Sequence, residues 1–542
     1  MCNLNENKSG VFRYFSESAR KYPEECALEI GNQKYSYSTL GGFAQQIGNS
    51  IRNSLQEKPD ELLTGILAYR SLTVYAGILG ALAAGGGYVP VSPKFPAERI
   101  GHIFNTVHCP VLIVGKEFYK MLPDICYFLN YEPLWIFPFD TPPETIKNKQ
   151  HIFLNLTIEN SIFQDHYISW DVSLDKIAYL LFTSGSTGTP KGIPISHGNL
   201  TSFIDYIKKR YPLNTTDRCS QAFDTTFDVS VHDLMITWAS GACLCSMPVT
   251  DLIAPANFIS KKKLTVWYSV PSIPTFMLKM HTLKPNAFPS LRYSFFAGEA
   301  LGASIVEAFA KAAPNSRIIN AYGPTELTIT ITDYEWRRNI DSCDTCRNGF
   351  VPIGKTYSTH EDLIVDPTSL LPVKDGECGE LLIHGPQQSK GYFENPIKTA
   401  EAFVECPCAP GKIFYRTGDL VVRNSEGNLD YLGRIDFQVK VRGYRVEIQE
   451  IENTLKKLTK HEECIVFGYP PNTASVDYLL AAIAGEEMDK TNILNGCASI
   501  LPDYMVPKDI VFLHNFPLNN NGKVDRKAII DYYLKTTTVR LR

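Results

Sequence analysis

The chain has 542 residues, which is long enough for two or more separately packed domains. With 44% hydrophobic and 20% charged residues, its composition is that of a globular protein and argues against a disordered chain. A net charge of −4 gives no reason to expect nucleic acid as a partner, and no apolar run is long enough for a membrane span. The polar N-terminus lacks an apolar signal core, so we expect a cytoplasmic protein.

From Phe12 to about Leu432, short apolar runs alternate with helical patterns. Such alternation predicts an α/β domain in which layered β-sheets are covered by helices. The strand-like runs are ELLTGILA, CPVLIVG, IAYLLFT, LTVWYSV, LRYSFFAG and SRIIN.

The pattern changes near residue 436. A strand is predicted at 437–443, a helix at 446–460 and two strands at 462–469 and 477–485, followed by a helix and a short tail. This order predicts a small α+β domain of its own.

The 14 cysteines are scattered, with two close pairs, Cys343/Cys346 and Cys406/Cys408. A zinc site needs further ligands, and no histidine accompanies either pair. We therefore interpret the cysteines as reduced thiols, as expected in a cytosol.

An unusual loop, TSGSTGTPKG, follows the predicted strand IAYLLFT. Its glycines allow close approach of the backbone to an anion, its hydroxyls can donate hydrogen bonds, and Lys191 adds a positive charge. Together they suit a polyphosphate, although the order of residues is neither a Walker loop nor a dinucleotide fingerprint. The alternative for this loop alone is a flexible surface linker.

The loop is one of nine motifs spread along nearly the whole chain. In order they are ALAAGGGYVPVSPKFPAERI (Ala81–Ile100), TSGSTGTPKG (Thr183–Gly192), FDTTFDVSVHDL (Phe223–Leu234), NAYGPTE (Asn320–Glu326), GELLIHGPQQSKGY (Gly379–Tyr392), YRTGDL (Tyr415–Leu420), GRIDFQVKVRGYRVEIQEIE (Gly433–Glu452), LPDYMVP (Leu501–Pro507) and NGKVDR (Asn521–Arg526).

In content and order these motifs resemble the adenylate-forming superfamily, which includes acyl-CoA ligases, luciferases and the amino-acid-activating domains of nonribosomal peptide synthesis. The seventh and ninth motifs resemble the amino-acid-activating branch. The resemblance implies an adenylation core at residues 1–434 and a mobile C-terminal lid at 435–542, with the hinge at Arg434–Asp436.

The resemblance also implies a site for ATP and Mg²⁺. Glu326 matches the metal-binding glutamate, Thr325 a donor to the α-phosphate, and Asp419 and Arg434 the ribose contacts, with Tyr322 facing the adenine. Taken alone, Glu326 could instead start a helix, and Asp419 could belong to a turn. The implied ATP-binding residues are Thr183, Ser184, Gly185, Ser186, Thr187, Gly188, Lys191, Asn320, Ala321, Tyr322, Gly323, Asp419 and Arg434.

Two lysines match the two working faces of the family's lid. Lys523 matches the lysine that bridges the substrate carboxylate and the ATP phosphates during adenylation, although out of context it reads as a solvated turn. Lys440 matches the face that turns inward when a thiol attacks the adenylate. Alternation along its strand predicts Phe437, Val439 and Val441 on the side opposite Gln438 and Lys440.

Asp228 matches the aspartate that pairs with the α-ammonium of an amino acid. Its presence favours amino acids over fatty or aryl acids as substrates, because a buried carboxylate needs a cationic partner. The alternative is that Asp228 is a cap or turn residue. Alignment by motif predicts the remaining pocket wall as Val229, His232, Tyr268, Phe295, Ala297, Ala321, Ile329 and Thr330.

The two aromatic rings and His232 favour a small or compact amino acid. The pattern Asp–Val–x–Tyr–x–Ala, formed by Asp228, Val229, Tyr268 and Ala297, resembles that of proline-activating relatives, so L-proline is the first choice. His232 and Ala321 depart from that pattern. Alanine, serine and other small residues stay open, as does chirality. His232 could fill the wall or bond to a polar side chain.

No Gly-Gly-x-Ser-type carrier motif follows NGKVDR, so we expect the acceptor thiol on a discrete carrier protein. Whether a small helper protein is required stays open. The alternatives are a D-alanine–carrier protein ligase, an acyl-CoA ligase, or a catalytically silent scaffold protein. The last would have lost Glu326, Asp419 or Lys523, and all three are present.

Overall fold

The computed structural model describes residues 10–55, 59–164, 172–183, 190–435, 438–471, 476–517 and 526–540. The chain divides into two compact units. The first contains Met1–Pro93, Gly101–Phe182 and Gly192–Ile435, and the second contains Lys94–Ile100, Thr183–Lys191 and Asp436–Arg542. The predicted domain boundary after residue 434 stays a prediction, and the predicted hinge residue Asp436 lies outside the described residues.

The strands in the described residues are β1 Cys26–Ile30, β2 Gln33–Ser36, β3 Leu63–Leu67, β4 Gly87–Pro90, β5 Val111–Val114, β6 Leu134–Phe137, β7 His151–Phe153, β8 Ile177–Thr183, β9 Lys191–Ser196, β10 Arg218–Gln221, β11 Cys243–Ser246, β12 Val266–Ser269, β13 Tyr293–Phe296, β14 Arg317–Tyr322, β15 Thr332–Glu335, β16 Lys355–Thr356, β17 Glu361–Val365, β18 Gly379–His384, β19 Phe403–Glu405, β20 Ile413–Arg423, β21 Leu429–Arg434, β22 Val439–Val441, β23 Tyr444–Val446, β24 Cys464–Tyr469, β25 Tyr478–Ala484 and β26 Ile510–Leu513.

The α-helices are α1 Phe12–Lys21, α2 Tyr37–Ser54, α3 Leu72–Ala83, α4 Ala97–Val107, α5 Leu122–Phe128, α6 His197–Arg210, α7 Val229–Ala239, α8 Pro255–Lys262, α9 Ser272–Lys279, α10 Ala303–Ala312, α11 Pro396–Ala402, α12 Ile448–Thr459, α13 Lys490–Ile500 and α14 Arg526–Arg540. None of the helices in the described part of the chain combines the length and the apolar character that a membrane span requires.

Two large sheets form the centre of the first unit. One has nine strands in the order β16-β15-β14-β13-β12-β10-β11-β1-β2, and the other has seven in the order β7-β6-β5-β3-β4-β8-β9. The central strands β12 and β13 pair in parallel, and all their residues are buried. Continuous apolar strands of this kind are typical of parallel sheets covered on both faces. The predicted layered α/β core is confirmed.

The last part of the first unit departs from the predicted alternation. A separate antiparallel sheet has the order β17-β18-β20-β19, with β21 paired to β20. Only the short helix α11 interrupts these strands, so the expectation of alternating strands and helices up to residue 432 was wrong here. Along β20 buried and partly exposed residues mostly alternate, as in a half-buried antiparallel strand, and this period of two is the signal that was overlooked.

The second unit contains the hairpin of β22 and β23 and the sheet β24-β25-β26, with α12 and α13. The predicted strands and helix are confirmed from residue 438 onward, and Phe437 lies outside the described residues. Val441 is buried in this unit's hydrophobic core, and the partly buried Val439 packs against it. The predicted short tail was wrong, because the described residues also form β26 and α14. The strand β26 has only four residues and pairs in parallel with β25, so no local pattern marks it. The helix α14 was not predicted because the threonines and the valine near its end have low helix propensity.

Candidate active site

Three of the predicted ATP-binding residues lie together in the first unit, at the ends or the middle of strands. Tyr322 ends β14, Asp419 lies within β20, and Arg434 ends β21 directly opposite Asp419 in the strand register. The Tyr322 hydroxyl donates to Asp419 Oδ2 at 2.5 Å, and Arg434 Nη1 donates to Asp419 Oδ1 at 2.8 Å. We call Tyr322, Asp419, Arg434 and Thr417 the Asp419 cluster.

Thr417 completes this cluster. Its hydroxyl bonds to the Asp419 backbone N–H at 3.1 Å, and its carbonyl accepts from Arg434 Nη1 at the same distance. Asp419 is only 4% exposed, and burial together with the adjacent carboxylate raises the pKa of Tyr322 well above its usual value. Tyr322 therefore stays a hydrogen-bond donor. Each carboxylate oxygen has two lone pairs, so Asp419 can still accept from two hydroxyls.

Glu326 lies in a turn of 3₁₀ helix, Thr325–Leu327, and is fully buried. The Tyr392 hydroxyl donates to Glu326 Oε1 at 2.9 Å, and the Ser389 N–H donates to the Glu326 carbonyl at 2.8 Å. A buried carboxylate whose orientation is held by a hydroxyl is the type of oxygen ligand that Mg²⁺ prefers. The residues present therefore fit a divalent cation, with phosphate and water as its other ligands.

The backbone around this turn is tightly constrained. A Cβ on Gly323 would lie 2.6 Å from the Thr330 Cα, so only glycine fits there. The amide of Asn320 donates to the carbonyls of Val351 at 3.2 Å and Pro352 at 2.9 Å, which gives that side chain a structural role. The predicted contact of Asn320 with ATP stays a prediction.

The predicted phosphate loop is only partly described. Thr183 ends β8 and Lys191 begins β9, whereas Ser184, Gly185, Ser186, Thr187 and Gly188 lie outside the described residues. Lys523 also lies outside them. Lys440 lies in β22 opposite Arg445, and its carbonyl accepts from the Val476 N–H at 2.9 Å.

Asp228 directly precedes α7 and is 6% exposed. It occupies the N-cap position of that helix, but its side chain makes no capping hydrogen bond there, and its pairing with a substrate ammonium stays a prediction. Burial raises the pKa values of the neighbouring Tyr179 and Tyr268 well above normal, and the negative charge of Asp228 adds to both shifts. The carboxylate therefore lies among buried, neutral phenols.

The predicted pocket wall is brought together by three elements. His232 comes from α7, Tyr268 from β12 and Phe295 from β13, and we call these three the ring wall. The His232 and Tyr268 ring centres are 4.8 Å apart and nearly perpendicular, and Phe295 lies 5.5 Å from His232 and 5.4 Å from Tyr268. At these distances the rings are in edge or tilted contact, with no space for a further side chain between them.

The other predicted wall residues are also buried. None of them exceeds 6% exposure: Val229, Ala297, Ala321, Ile329 and Thr330. The Thr330 hydroxyl is hydrogen bonded with the Tyr357 hydroxyl at 2.9 Å.

Burial lowers the pKa of His232 to about 3, so its ring is neutral at physiological pH. Its Nδ1 atom makes no hydrogen bond among the described residues, since the nearest carboxyl oxygen, Oδ1 of the buried Asp233, lies 3.7 Å away, and its ring lies 6.0 Å from that of Phe203. Among the protein's own groups, His232 therefore acts as a wall-filling ring.

Sequence reasoning missed three residues that hold the site. Tyr392 and Gln387 occur inside the motif GELLIHGPQQSKGY, and Thr417 occurs inside YRTGDL. Their positions within motifs were the available signal, but the partners of Tyr392 and Gln387 lie 66 and 57 residues away in the sequence.

Comparison with known proteins agrees with this geometry. The family model of the AMP-binding enzymes matches residues 15–393, and that of the AMP-binding enzyme C-terminal domain matches residues 450–523.

Two peptide synthases are similar to nearly the whole chain. Bacitracin synthase 3 of Bacillus licheniformis is 31% identical over 522 residues, which is 96% of this chain but 8% of that protein. Tyrocidine synthase 1 of Brevibacillus parabrevis is 31% identical over 524 residues, which is 96% of this chain and 44% of that protein. This chain thus spans less than half the length of each of these curated relatives.

Two solved structures share the fold. The Vibrio cholerae adenylation domain AlmE, in complex with glycyl-adenosine-5'-phosphate, has a TM-score of 0.88 and 29% identity, over 97% of this chain and 98% of that one. Holo-PA1221, an NRPS protein containing adenylation and PCP domains, has a TM-score of 0.78 and 21% identity, over 97% of this chain and 84% of that one.

The chain belongs to the AMP-binding enzyme family. It is an adenylate-forming ligase with the large N-terminal and small C-terminal domains of an adenylation domain of the nonribosomal peptide synthetase type.

Proposed function

We propose that this chain activates a small, uncharged amino acid with ATP and transfers it to the phosphopantetheine thiol of a separate carrier protein. The observation that supports a small substrate is the ring wall, because three bulky rings in mutual contact occupy the place where a large side chain would have to lie. Asp228, buried beside that wall, supplies the negative charge for the substrate ammonium.

In the first step, a carboxylate oxygen of the amino acid attacks the α-phosphorus of ATP. The bond from that phosphorus to the bridging oxygen breaks, and pyrophosphate leaves. Asp419 and Arg434 orient the ribose, Thr325 donates to the α-phosphate, and Lys523 offsets the repulsion between the two anions. Glu326 would hold Mg²⁺, which supplies positive charge to the phosphate oxygens.

In the second step, the carrier thiolate attacks the carbonyl carbon of the aminoacyl-adenylate, a thioester forms and AMP leaves. Lys440 belongs to this step in our proposal. Holo-PA1221, which contains adenylation and PCP domains, shares the fold.

Two amino acids are the first to test. Proline is favoured by the set Asp228, Val229, Tyr268 and Ala297. Glycine is the second candidate, because AlmE was solved with glycyl-adenosine-5'-phosphate. Alanine, serine and D-alanine come next.

The deciding experiment is ATP–pyrophosphate exchange with each standard amino acid and D-alanine, with a reaction lacking amino acid as the control. We expect a small uncharged amino acid to give the strongest exchange and tryptophan, phenylalanine and arginine to stay at background. A large amino acid as the best substrate would contradict the proposal.

For the second step, we expect Lys440→Ala to retain pyrophosphate exchange and to slow carrier loading. An equal loss in both steps would remove Lys440 from that role.

A further inference from the structure

Gln387 is a fully buried polar residue shortly after β18. Its Nε2 atom contacts the carbonyl oxygens of Leu327 at 3.3 Å, Thr328 at 3.1 Å and Thr330 at 2.9 Å. The Thr328 hydroxyl donates to the backbone carbonyl of Gln387 at 2.5 Å. Because the three acceptors are all carbonyls, the amide NH₂ must face them.

The segment that Gln387 contacts has a strained backbone. Thr328 has a φ of 57° and Ile329 a φ of 75°, and both residues are β-branched. A positive φ is uncommon for such residues and strains the backbone. Strain of this kind persists only where the surroundings hold it, and the bonds from Gln387 supply that hold.

This segment joins the two chemical parts of the site. Glu326, the candidate metal ligand, precedes it, and Ile329 and Thr330 belong to the predicted amino-acid wall. The Ser389 N–H donates to the Glu326 carbonyl at 2.8 Å, so the stretch that starts at Gln387 contacts both ends.

We propose that Gln387 is a positioning residue: by holding Thr328–Thr330 in its strained conformation, it keeps Ile329 and Thr330 in the shape that selects the amino acid. This inference deepens the proposed function and rests on it for the identity of the substrate. Gln387 does not touch the substrate in this account, and it acts through the backbone of the wall.

The first test compares Gln387→Met with wild type. Methionine has a similar shape but no donor, so three buried carbonyls lose their partner. We expect the KM for the preferred amino acid to rise about tenfold, and its advantage in kcat/KM over the next amino acid to fall about tenfold. The KM for ATP should change less than about twofold.

Gln388→Met is the matched control. Gln388 is the next residue. The amide oxygens of both glutamines lack a partner among the described residues, but there only the Nε2 atom of Gln387 donates to the carbonyls of the segment 327–330. This variant should retain the amino-acid selectivity of the wild type. Equal selectivity in Gln387→Met and wild type would overturn the proposal.

A second pair of variants serves if Gln387→Met fails to fold. Thr328→Val removes the hydroxyl that bonds to the backbone carbonyl of Gln387, which is a second link between the strained segment and residue 387, whereas Thr328→Ser keeps it. We expect the valine variant to lose selectivity and the serine variant to retain it. Equal selectivity in both would also overturn the proposal.

Hydrogen exchange separates this inference from the proposed function. By mass spectrometry, amide exchange in a peptide covering residues 327–330 should be faster in Gln387→Met or Thr328→Val than in wild type. If no amino acid supports pyrophosphate exchange in wild type, the proposed function fails, and this measurement still tests the contact. Unchanged amide exchange in that peptide would contradict the positioning role by itself.

Discussion

The Asp419 cluster and the ring wall lie in the same unit but are built from different interactions. In the cluster, charged and hydroxyl groups are paired at 2.5 to 3.1 Å. In the wall, rings pack at 4.8 to 5.5 Å around a neutral histidine. A directional polar cluster fixes one ligand geometry, whereas a packed wall sets a volume limit. Substitutions in the Asp419 cluster should therefore lower the use of ATP, whereas substitutions in the ring wall should change which amino acid is preferred.

The strongest test of the polar side is Asp419→Ala. The change removes the carboxylate that accepts from Arg434 and from the Tyr322 hydroxyl, and breaking a buried ion pair costs about 3 kcal/mol or more. We expect kcat/KM for ATP to fall by about a hundredfold or more, measured from the ATP dependence of pyrophosphate exchange. Asp362→Ala is the control, because Asp362 pairs with Arg423 in the same sheet. If Asp419→Ala used ATP as well as this control, the cluster would have no nucleotide role.

The packed side should respond differently to Tyr268→Ala. Removing this ring opens space beside His232 and Phe295. We expect larger amino acids to gain about 50-fold in kcat/KM relative to the preferred small one, measured in the same exchange panel. Phe296→Ala is the control, because this buried ring of β13 belongs to a different hydrophobic cluster from Tyr268 and Phe295, and it should not move the preference. An unchanged preference in Tyr268→Ala would mean that the wall does not limit size.

The neutral histidine of the wall predicts a pH dependence of stability. Burial lowers the pKa of His232 to about 3, whereas the unfolded chain binds the proton near pH 6.5, about the unperturbed value. The stability that the neutral ring provides is therefore fully present above about pH 6.5. It is lost at lower pH, and the free energy of unfolding should be about 2 kcal/mol smaller at pH 5. Thermal unfolding at pH 7 and pH 5 should show a smaller acid loss in His232→Phe than in wild type.

His102→Phe is the control for that measurement, because His102 is exposed. It should retain the acid loss of the wild type. An identical loss in His232→Phe would mean that His232 is protonated in the folded protein near its ordinary pKa.

The smallest expected effect concerns Tyr392→Phe. The change removes only the hydroxyl that donates to Glu326 and leaves the ring in place. Partners that orient a metal ligand typically contribute about tenfold in metal affinity, so half-maximal activity should need about tenfold more Mg²⁺. Tyr35→Phe, which removes a hydroxyl bonded to Gln33, should leave the Mg²⁺ dependence unchanged. An unchanged dependence in Tyr392→Phe would separate this hydroxyl from metal binding.

The sequence could name candidate ligand-binding residues but not the residues that support them. Asp419 and Arg434 could be named because each belongs to a motif, and a motif is local in sequence. Gln387 and Tyr392 were missed as supports because their partners are about 60 residues away, and only the folded chain brings them together. Packing also placed Tyr268 and Phe295 beside His232, as the alignment of motifs predicted.

Element prediction failed where pairing is long-range or antiparallel. The alternating pattern of β20 was taken as part of an α/β repeat, and β26 was missed because four residues carry too little periodicity. The buried parallel strands were predicted because their apolar runs are continuous.

The position of β1 in the nine-stranded sheet has a consequence for synthesis on the ribosome. This strand pairs with β11, which follows it in the chain by roughly 210 residues. At about 5–20 residues per second, the β1–β2 hairpin waits roughly 10 to 40 s with one edge unpaired. An unpaired strand edge is a template for association with other chains. We therefore expect nascent chains that end before β11 to be bound by chaperones, and chains that extend beyond it to be released.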